Sequence, residues 1–235
     1  MERVRALFFD VFGTLVDWRG SIAREARAIL SPLGVALDWE AFADAWRDQY
    51  QPAMDEVRSG RLPFSKLDVL HRRNLDVILK DFRLDNVDEP TRANLNLAWH
   101  RLDAWPDTKP GLERLRTKFR IAPCSNGNIS LMVDLARRNG LVWDAILGAE
   151  IARDYKPKPV VYLSAAAAFD CEPHETMMVA AHSSDLAAAA ATGLRTAFIA
   201  RPGEYGEGKG ESRARVPVDL SAESLTALAD RMACA

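Results

Sequence analysis

Asp10 closes a short apolar run in FFDVFGTLVDW, residues 8–18, with Gly13 and Thr14 just behind it. Other polar residues follow short apolar stretches in the same way: Ser125 in CSNGN, Lys156 in YKPKPVVY and Asp185 in VAAHSSDL. Together these are the parts of a nucleophilic site. A carboxylate attacks only when it is ionised, held still and shielded from free water. A nearby ammonium such as Lys156 favours the charged form, the hydroxyls of Thr14 and Ser125 can fix its orientation, and Asp185 is an acid available to activate water. Taken singly, each has a plainer explanation: a turn cap at Asp10, an ordinary Ser-Asn-Gly turn, a solvated lysine, a helix N-cap at Asp185. All of them at corresponding ends of one sheet is a different matter. Phe12, an inert aromatic two residues after Asp10, stands where a second carboxylate would be useful.

The elements that would position these residues follow from hydrophobic spacing. Residues 4–9 form a short apolar run ended by Asp10 and a glycine turn, and read as a buried strand. From about residue 20 to residue 100 the spacing is helical: Ala23, Ala26, Ile29 and Leu30; then Phe42, Trp46 and Tyr50; then Leu67, Leu70, Leu75 and Ile78. After Pro106, helices alternate with apolar strands at 120–124, 145–147, 177–181 and 196–200. Such alternation with right-handed crossovers gives an α/β fold, a Rossmann-like parallel sheet flanked by helices. The first strand must join that sheet. The expectation is a core of residues 1–17 and 101–235 with an all-helical cap, residues 18–100, inserted over the carboxyl edge where open sheets bind ligands.

The chain has 235 residues, 48% hydrophobic and 27% charged, with a formal net charge of −2. That balance gives no reason to expect nucleic acid or an anionic membrane as partner. Residues 1–10 lack the features of a signal peptide, and the alanine-rich runs near Ala165 and Ala189 are too interrupted to span a bilayer. Cys124, Cys171 and Cys234 have no metal-type spacing, which suits a reduced cytoplasmic protein with free thiols.

With these residues in view, the chain resembles the haloacid dehalogenase superfamily, and within it the L-2-haloacid dehalogenases. FFDVFGTLVDW is similar to motif one, CSNGN to motif two, YKPKPVVY to motif three and VAAHSSDLAAAAATG to motif four. AWRDQY, residues 45–50, is similar to the cap segment that supplies a halide-binding arginine, here Arg47. The resemblance implies that Asp10 displaces halide from a short 2-haloalkanoic acid to form an ester, which water activated near Asp185 hydrolyses to a 2-hydroxy acid. Lys156 and Thr14 would hold Asp10. Ser125, with the N–H groups after Asp10 at Val11 and Phe12, would hold the substrate carboxylate, Arg47 and Asn126 would cradle the halide, and Tyr162 would support the site. The resemblance implies no metal and no cofactor, a small haloacid as ligand, and an assembly that in relatives is often a dimer.

Most of the superfamily are phosphatases, which carry a second Asp two residues after the nucleophile to protonate the leaving alkoxide. Phe12 stands there. They also carry an acid four residues before Asp185 to hold Mg²⁺, where this chain has Ala181. Both losses point away from phosphoryl transfer; a phosphonatase-like hydrolase would keep the magnesium site that Ala181 weakens. A silent binding protein on this scaffold is opposed by the intact Asp10, Lys156 and Asp185. Motif four departs from the commoner Ser-Ser-Asn run, having Ala180, Ala181 and His182. His182 is either a loop histidine satisfied by backbone groups or a donor facing the halide, where it would favour fluoride. His100 reads as a hinge or packing residue, Cys124 as a buried thiol, and residues 202–217 as a surface loop.

Overall fold

The structure, a computed structural model, describes residues 4–234. At its centre is β1 (Ala6–Phe9), a run of ALFF with every residue buried. The chain continues through β2 (Val16–Asp17) into five helices: α1 (Trp18–Leu30), α2 (Trp39–Asp48), α3 (Tyr50–Arg58), α4 (Leu67–Asp81) and α5 (Glu89–Asn96). β3 (Asp103–Ala104) pairs antiparallel with β2, closing the two ends of this helical block together. Helices and strands then alternate: α6 (Thr108–Arg116), β4 (Arg120–Ser125), α7 (Ile129–Asn139), β5 (Leu147–Gly148), α8 (Ala149–Ala152), α9 (Pro159–Ala168), β6 (Thr176–Ala180), α10 (Ser183–Ala191), β7 (Arg195–Ile199), β8 (Leu220–Ala222) and α11 (Leu225–Arg231).

The main sheet has the order β5-β4-β1-β6-β7-β8, and every pairing in it is parallel. A parallel sheet buries both faces, so its strands are apolar throughout rather than alternating. Side chains still alternate between the faces. Ala6 and Phe8 pack with Val161, Ala165 and Leu186 on one side, while Leu7 and Phe9 join Leu115, Leu131 and Leu225 on the other. Because the strands run the same way, their carboxyl ends share one edge. The segments beginning at Asp10, Asn126, Ala181 and Ala200 all leave the sheet there.

The helical block is held by its own caps and ion pairs. Asp17 caps α1 by accepting from the Gly20 N–H, and Asp38 caps α2 through the Glu40 and Ala41 N–H groups. Arg19 on α1 grips Asp44 on α2 through two bonds of 2.7 and 2.8 Å. No helix among the described residues is long and apolar enough to cross a membrane.

Local details differ from the sequence expectation. Phe42, Trp46 and Tyr50, read as one helix, belong to two, since the chain breaks at Gln49 between α2 and α3. Asp185 does not lie in a loop but in the first turn of α10, with His182 at the N-cap. Ser125 ends β4 rather than following it. The pair β2 and β3, the edge strand β8 and the final helix α11 went unread, and residues 202–217 are no mere surface loop, since they carry the buried Glu204.

Candidate active site

Asp10 leaves the centre of the sheet into a cleft of about 980 Å³, and its side chain is only 10% exposed. Its two oxygens are held differently. Oδ1 accepts from the Lys156 ammonium at 2.9 Å. Oδ2 accepts from the Thr14 hydroxyl at 2.7 Å and lies 3.0 Å from Nδ1 of His182. Thr14 cannot turn away, because its own oxygen accepts the Ala181 N–H at 2.9 Å. Burial alone would raise the Asp10 carboxyl, but Lys156 and His182 more than reverse this and hold it well below the usual carboxylate range.

Lys156 links the two acids. Its ammonium also donates to Oδ2 of Asp185 at 2.5 Å, while the other oxygen of Asp185 accepts the Tyr162 hydroxyl at 2.5 Å. Burial disfavours the ammonium, yet Asp10 and Asp185 push its pKa well above 10.5, so it remains charged. The Lys156 N–H donates to Oδ1 of Asn126 at 2.9 Å, which fixes the amide by its oxygen and leaves its nitrogen out of that bond. The loop carrying Lys156 is braced from the cap, where Arg58 on α3 donates to the Lys156 carbonyl at 2.6 Å.

The wall opposite Asp10 is aromatic. Phe12 meets Tyr50, His71 and Trp99 edge-on, with ring centroids 5.9 to 6.4 Å apart. Burial drives the His71 pKa down to about 3, so the ring is neutral and stacks on Trp99 at 4.1 Å. The Arg47 guanidinium lies 4.0 Å from the centre of the Tyr50 ring and 5.2 Å from Trp18. One of its nitrogens, Nη1, is buried without a hydrogen-bond partner among the described residues. A buried cationic donor left unpaired beside a cleft is equipped to receive an anion.

The structure therefore brings Asp10, Phe12, Arg47, Asn126, Lys156, Tyr162, His182 and Asp185 to one cleft. Thr14 stands behind Asp10. Ser125 and Val11 do not line the cleft: Ser125 is fully buried, and its oxygen accepts the Gly127 N–H at 3.0 Å. The N–H groups of Val11 and Phe12 take no acceptor among the described residues, so they are free for a ligand. His182 does not present a free donor to the cleft, as expected of a halide ligand, nor is it satisfied by backbone. Its Nδ1 faces Asp10, and its Nε2 lies 2.9 and 3.0 Å from the two oxygens of Glu204.

Glu204 was missed from sequence. It follows β7 on the same sheet edge, is 1% exposed, and also accepts the Trp18 indole N–H at 3.1 Å. Gly13 makes room for it, since a Cβ there would lie 2.0 Å from Oε1 of Glu204, and the φ of +85° independently favours glycine. Tyr50, Trp18 and Tyr205 also escaped notice. The one available signal for Glu204 was topological, since it lies in the segment that leaves β7 at the same sheet edge as Asp10.

The remaining candidates lie elsewhere. His100 joins Asp68 of α4 at 3.1 Å to Asp134 of α7 at 2.7 Å, so it ties cap to core through charge as well as packing. Cys124 is buried among apolar groups, which push its thiol up to about 12 and make it inert at neutral pH.

The family model for haloacid dehalogenase-like hydrolases matches residues 4–193. (S)-2-haloacid dehalogenase 1 of Pseudomonas sp. (strain CBS-3) is 31% identical over 213 residues, covering 87% of this chain and 89% of that protein. Among solved structures, a defluorinating L-2-haloacid dehalogenase superposes with a TM-score of 0.95 at 44% identity, covering 98% of this chain and 96% of that one. A further L-2-haloacid dehalogenase does so with a TM-score of 0.94 at 46% identity, covering 98% and 99%.

Proposed function

This chain belongs to the haloacid dehalogenase-like hydrolases, and within that family we propose that it hydrolyses the carbon–halogen bond of short 2-haloacids, with an aspartyl ester at Asp10 as intermediate and no metal. One observation carries the choice over a phosphatase. Asp10 and Asp185 are joined by the Lys156 ammonium at 2.9 and 2.5 Å, and among the described residues no group of three or more His, Cys, Asp or Glu side chains is arranged to hold a metal ion. A hard dication wants several oxygens, and the neighbouring positions supply none from side chains: Phe12 is packed among aromatics, and Ala181 contributes only an N–H to Thr14. Halide leaves without a proton, so the missing acid at Phe12 costs this reaction nothing.

Oδ2 of Asp10 already receives two donors, whereas Oδ1 receives Lys156 alone and keeps a lone pair free. Oδ1 is therefore the attacking atom. The substrate carboxylate rests on the N–H groups of Val11 and Phe12. Attack expels halide on the far side of the carbon, toward Arg47 and the Asn126 amide, which stabilise its growing charge in an aromatic, water-poor wall. Asp185 then accepts a proton from the water that attacks the ester, and Lys156 stands ready to return one to Oδ1 as the 2-hydroxy acid leaves. Tyr162 holds Asp185 for this step. Since (S)-2-haloacids name the relatives, the S enantiomer is the expected substrate. The buried free thiols Cys124, Cys171 and Cys234 suit the reducing cytoplasm in which we place it, and a dimer is the assembly the resemblance implies.

The test is halide release from chloroacetate and from each enantiomer of 2-chloropropionate in EDTA, with Asp10→Asn as control. Release that survives EDTA and is lost in Asp10→Asn supports the reading. Magnesium-dependent phosphate release with no halide from any haloacid would overturn it.

A further inference from the structure

Glu204 has no part in the mechanism above, yet the fold spends a buried position on it. The acid is enclosed between Trp18, which donates to it at 3.1 Å, and His182, whose Nε2 lies 2.9 Å away. Gly13, with no side chain, admits it. The imidazole of His182 thus has a carboxylate at each nitrogen, Asp10 at Nδ1 and Glu204 at Nε2. Only the imidazolium donates at both ends; a neutral ring would set a lone pair against one of the acids.

Oδ2 of Asp10 accordingly has two fixed donors, the Thr14 hydroxyl and the His182 Nδ1–H. When Oδ1 forms the ester, Oδ2 becomes its carbonyl oxygen and keeps both. We propose that Thr14 and His182 are the oxyanion hole of the hydrolytic half-reaction, and that Glu204 is the positioning residue that holds the His182 ring with its N–H on Asp10. This rests on the two-step reading given above. In that step the water oxygen bonds to Cγ of Asp10, and the carbonyl π pair moves onto Oδ2, between the two donors. The pair returns as the Cγ–Oδ1 bond breaks. The 2-hydroxy acid departs with Oδ1, and Asp10 keeps the water oxygen.

Two other roles for His182 fit less well. A halide donor would need a free N–H, and both are committed. A general base would need to lose a proton that two carboxylates retain. Burial lowers the His182 pKa, but the bonds to Asp10 and Glu204 raise it to about 10. Esterification removes the charge of Asp10, yet Glu204 remains at 2.9 Å. Tyr205 beside Glu204, and Lys156 on the far oxygen of Asp10, are the other titratable groups at hand.

Rapid-quench single turnovers on the wild type, on His182→Ala and on Glu204→Gln decide the matter, with halide and hydroxy acid measured separately and the ester detected as added mass on the intact protein. In His182→Ala, ester hydrolysis should slow about 10²–10³-fold, the usual effect of losing one oxyanion donor. Its halide burst should persist, since Asp10 loses a bond that weakens it as a nucleophile, and ester should accumulate. In Glu204→Gln, hydrolysis should fall with rising pH at a lower pH than in the wild type, a shift that a merely structural role would not produce. The wild type alone gives a further arm: its ester hydrolysis should decline as pH rises and the ring loses its proton. A rise instead would make His182 a base and overturn the proposal. Equal slowing of halide and hydroxy acid in His182→Ala, with no ester detected, would also overturn it while leaving the two-step reading intact. Absence of halide from every haloacid in the wild type would defeat the earlier reading itself.

Discussion

Replacing Lys156 with methionine keeps the length of the apolar stem and deletes the charge between Asp10 and Asp185. The ammonium lies 2.9 Å from Asp10, and the Lys156 and Asp10 side chains are 8% and 10% exposed, so water screens them poorly. At an effective dielectric of 20, two unit charges at that distance attract by about 6 kcal/mol. Removing one partner of a buried pair typically costs about 3–5 kcal/mol, since the other charge is stranded. That corresponds to raising the carboxyl by about 2–4 pH units from its depressed value. The sign follows from linkage. Asp10, depressed on folding, stabilises the fold above its ordinary pKa of 3.8 and loses that contribution as pH falls through its folded value. Lys156, raised on folding, stabilises below 10.5 and loses this as pH climbs through its own folded value. The variant's deficit is therefore largest across neutral pH. Halide release from (S)-2-chloropropionate, measured from acid to mildly alkaline pH, should show an acid limb displaced upward, alongside a melting temperature lower by roughly 6–20 °C. An unchanged acid limb with a melting temperature within about 2 °C of wild type would refute the reasoning, since a difference that small is below 1 kcal/mol for a chain of this size.

Arg47→Lys keeps a cation but loses the planar stack 4.0 Å from Tyr50; kcat for halide release should fall about 10²-fold with KM nearly unchanged, and a rise confined to KM would contradict a role in departure. Phe12→Asp should yield no magnesium-dependent phosphatase activity toward p-nitrophenyl phosphate, and it should lower the melting temperature, because a carboxylate would be buried among Tyr50, His71 and Trp99. Burial lowers the pKa of His100, but Asp68 and Asp134 outweigh this and raise it, so its stabilisation is complete below 6.5 and is lost as pH rises through the folded value; the melting difference between wild type and His100→Gln should shrink in that direction.

What the sequence made legible had local causes. Asp10 and Asn126 each follow a strand directly, and strands are written in apolar runs that end abruptly; Lys156, expected after a strand, instead follows the short helix α8 that comes after β5. Phe12 and Ala181 were readable as absences because position relative to Asp10 and Asp185 is counted along the chain. The break at Gln49 is hidden in the spacing of Trp46 and Tyr50, which runs on across it, and its one mark is Pro52, third in α3, which has no N–H to donate back to Asp48 and so belongs to the first turn of a new helix. Asp185 slid into α10 because the first turn of a helix tolerates an acid as readily as a cap does. Glu204 was illegible for a deeper reason. It is one acid among several charges in a glycine-rich stretch, and its burial is created by Trp18 and His182, each distant along the chain. In α11 the apolar positions Leu225, Leu228 and Ala229 follow the Ser224 cap and could have been read as a short amphipathic helix.

The fit between Gly13 and Glu204 runs in one direction only. Glu204 needs the missing Cβ of Gly13, whereas the φ of +85° demands glycine at 13 whatever stands across from it. The acid can be gained or lost in a single substitution, while the glycine is fixed by the turn. Among relatives with this turn, the residue matching Glu204 and the residue matching His182 should therefore be inherited as a pair, with Gly13 indifferent to both. Sorting the family by that pair would separate enzymes that hold an imidazolium on the nucleophile from those that use a neutral donor there.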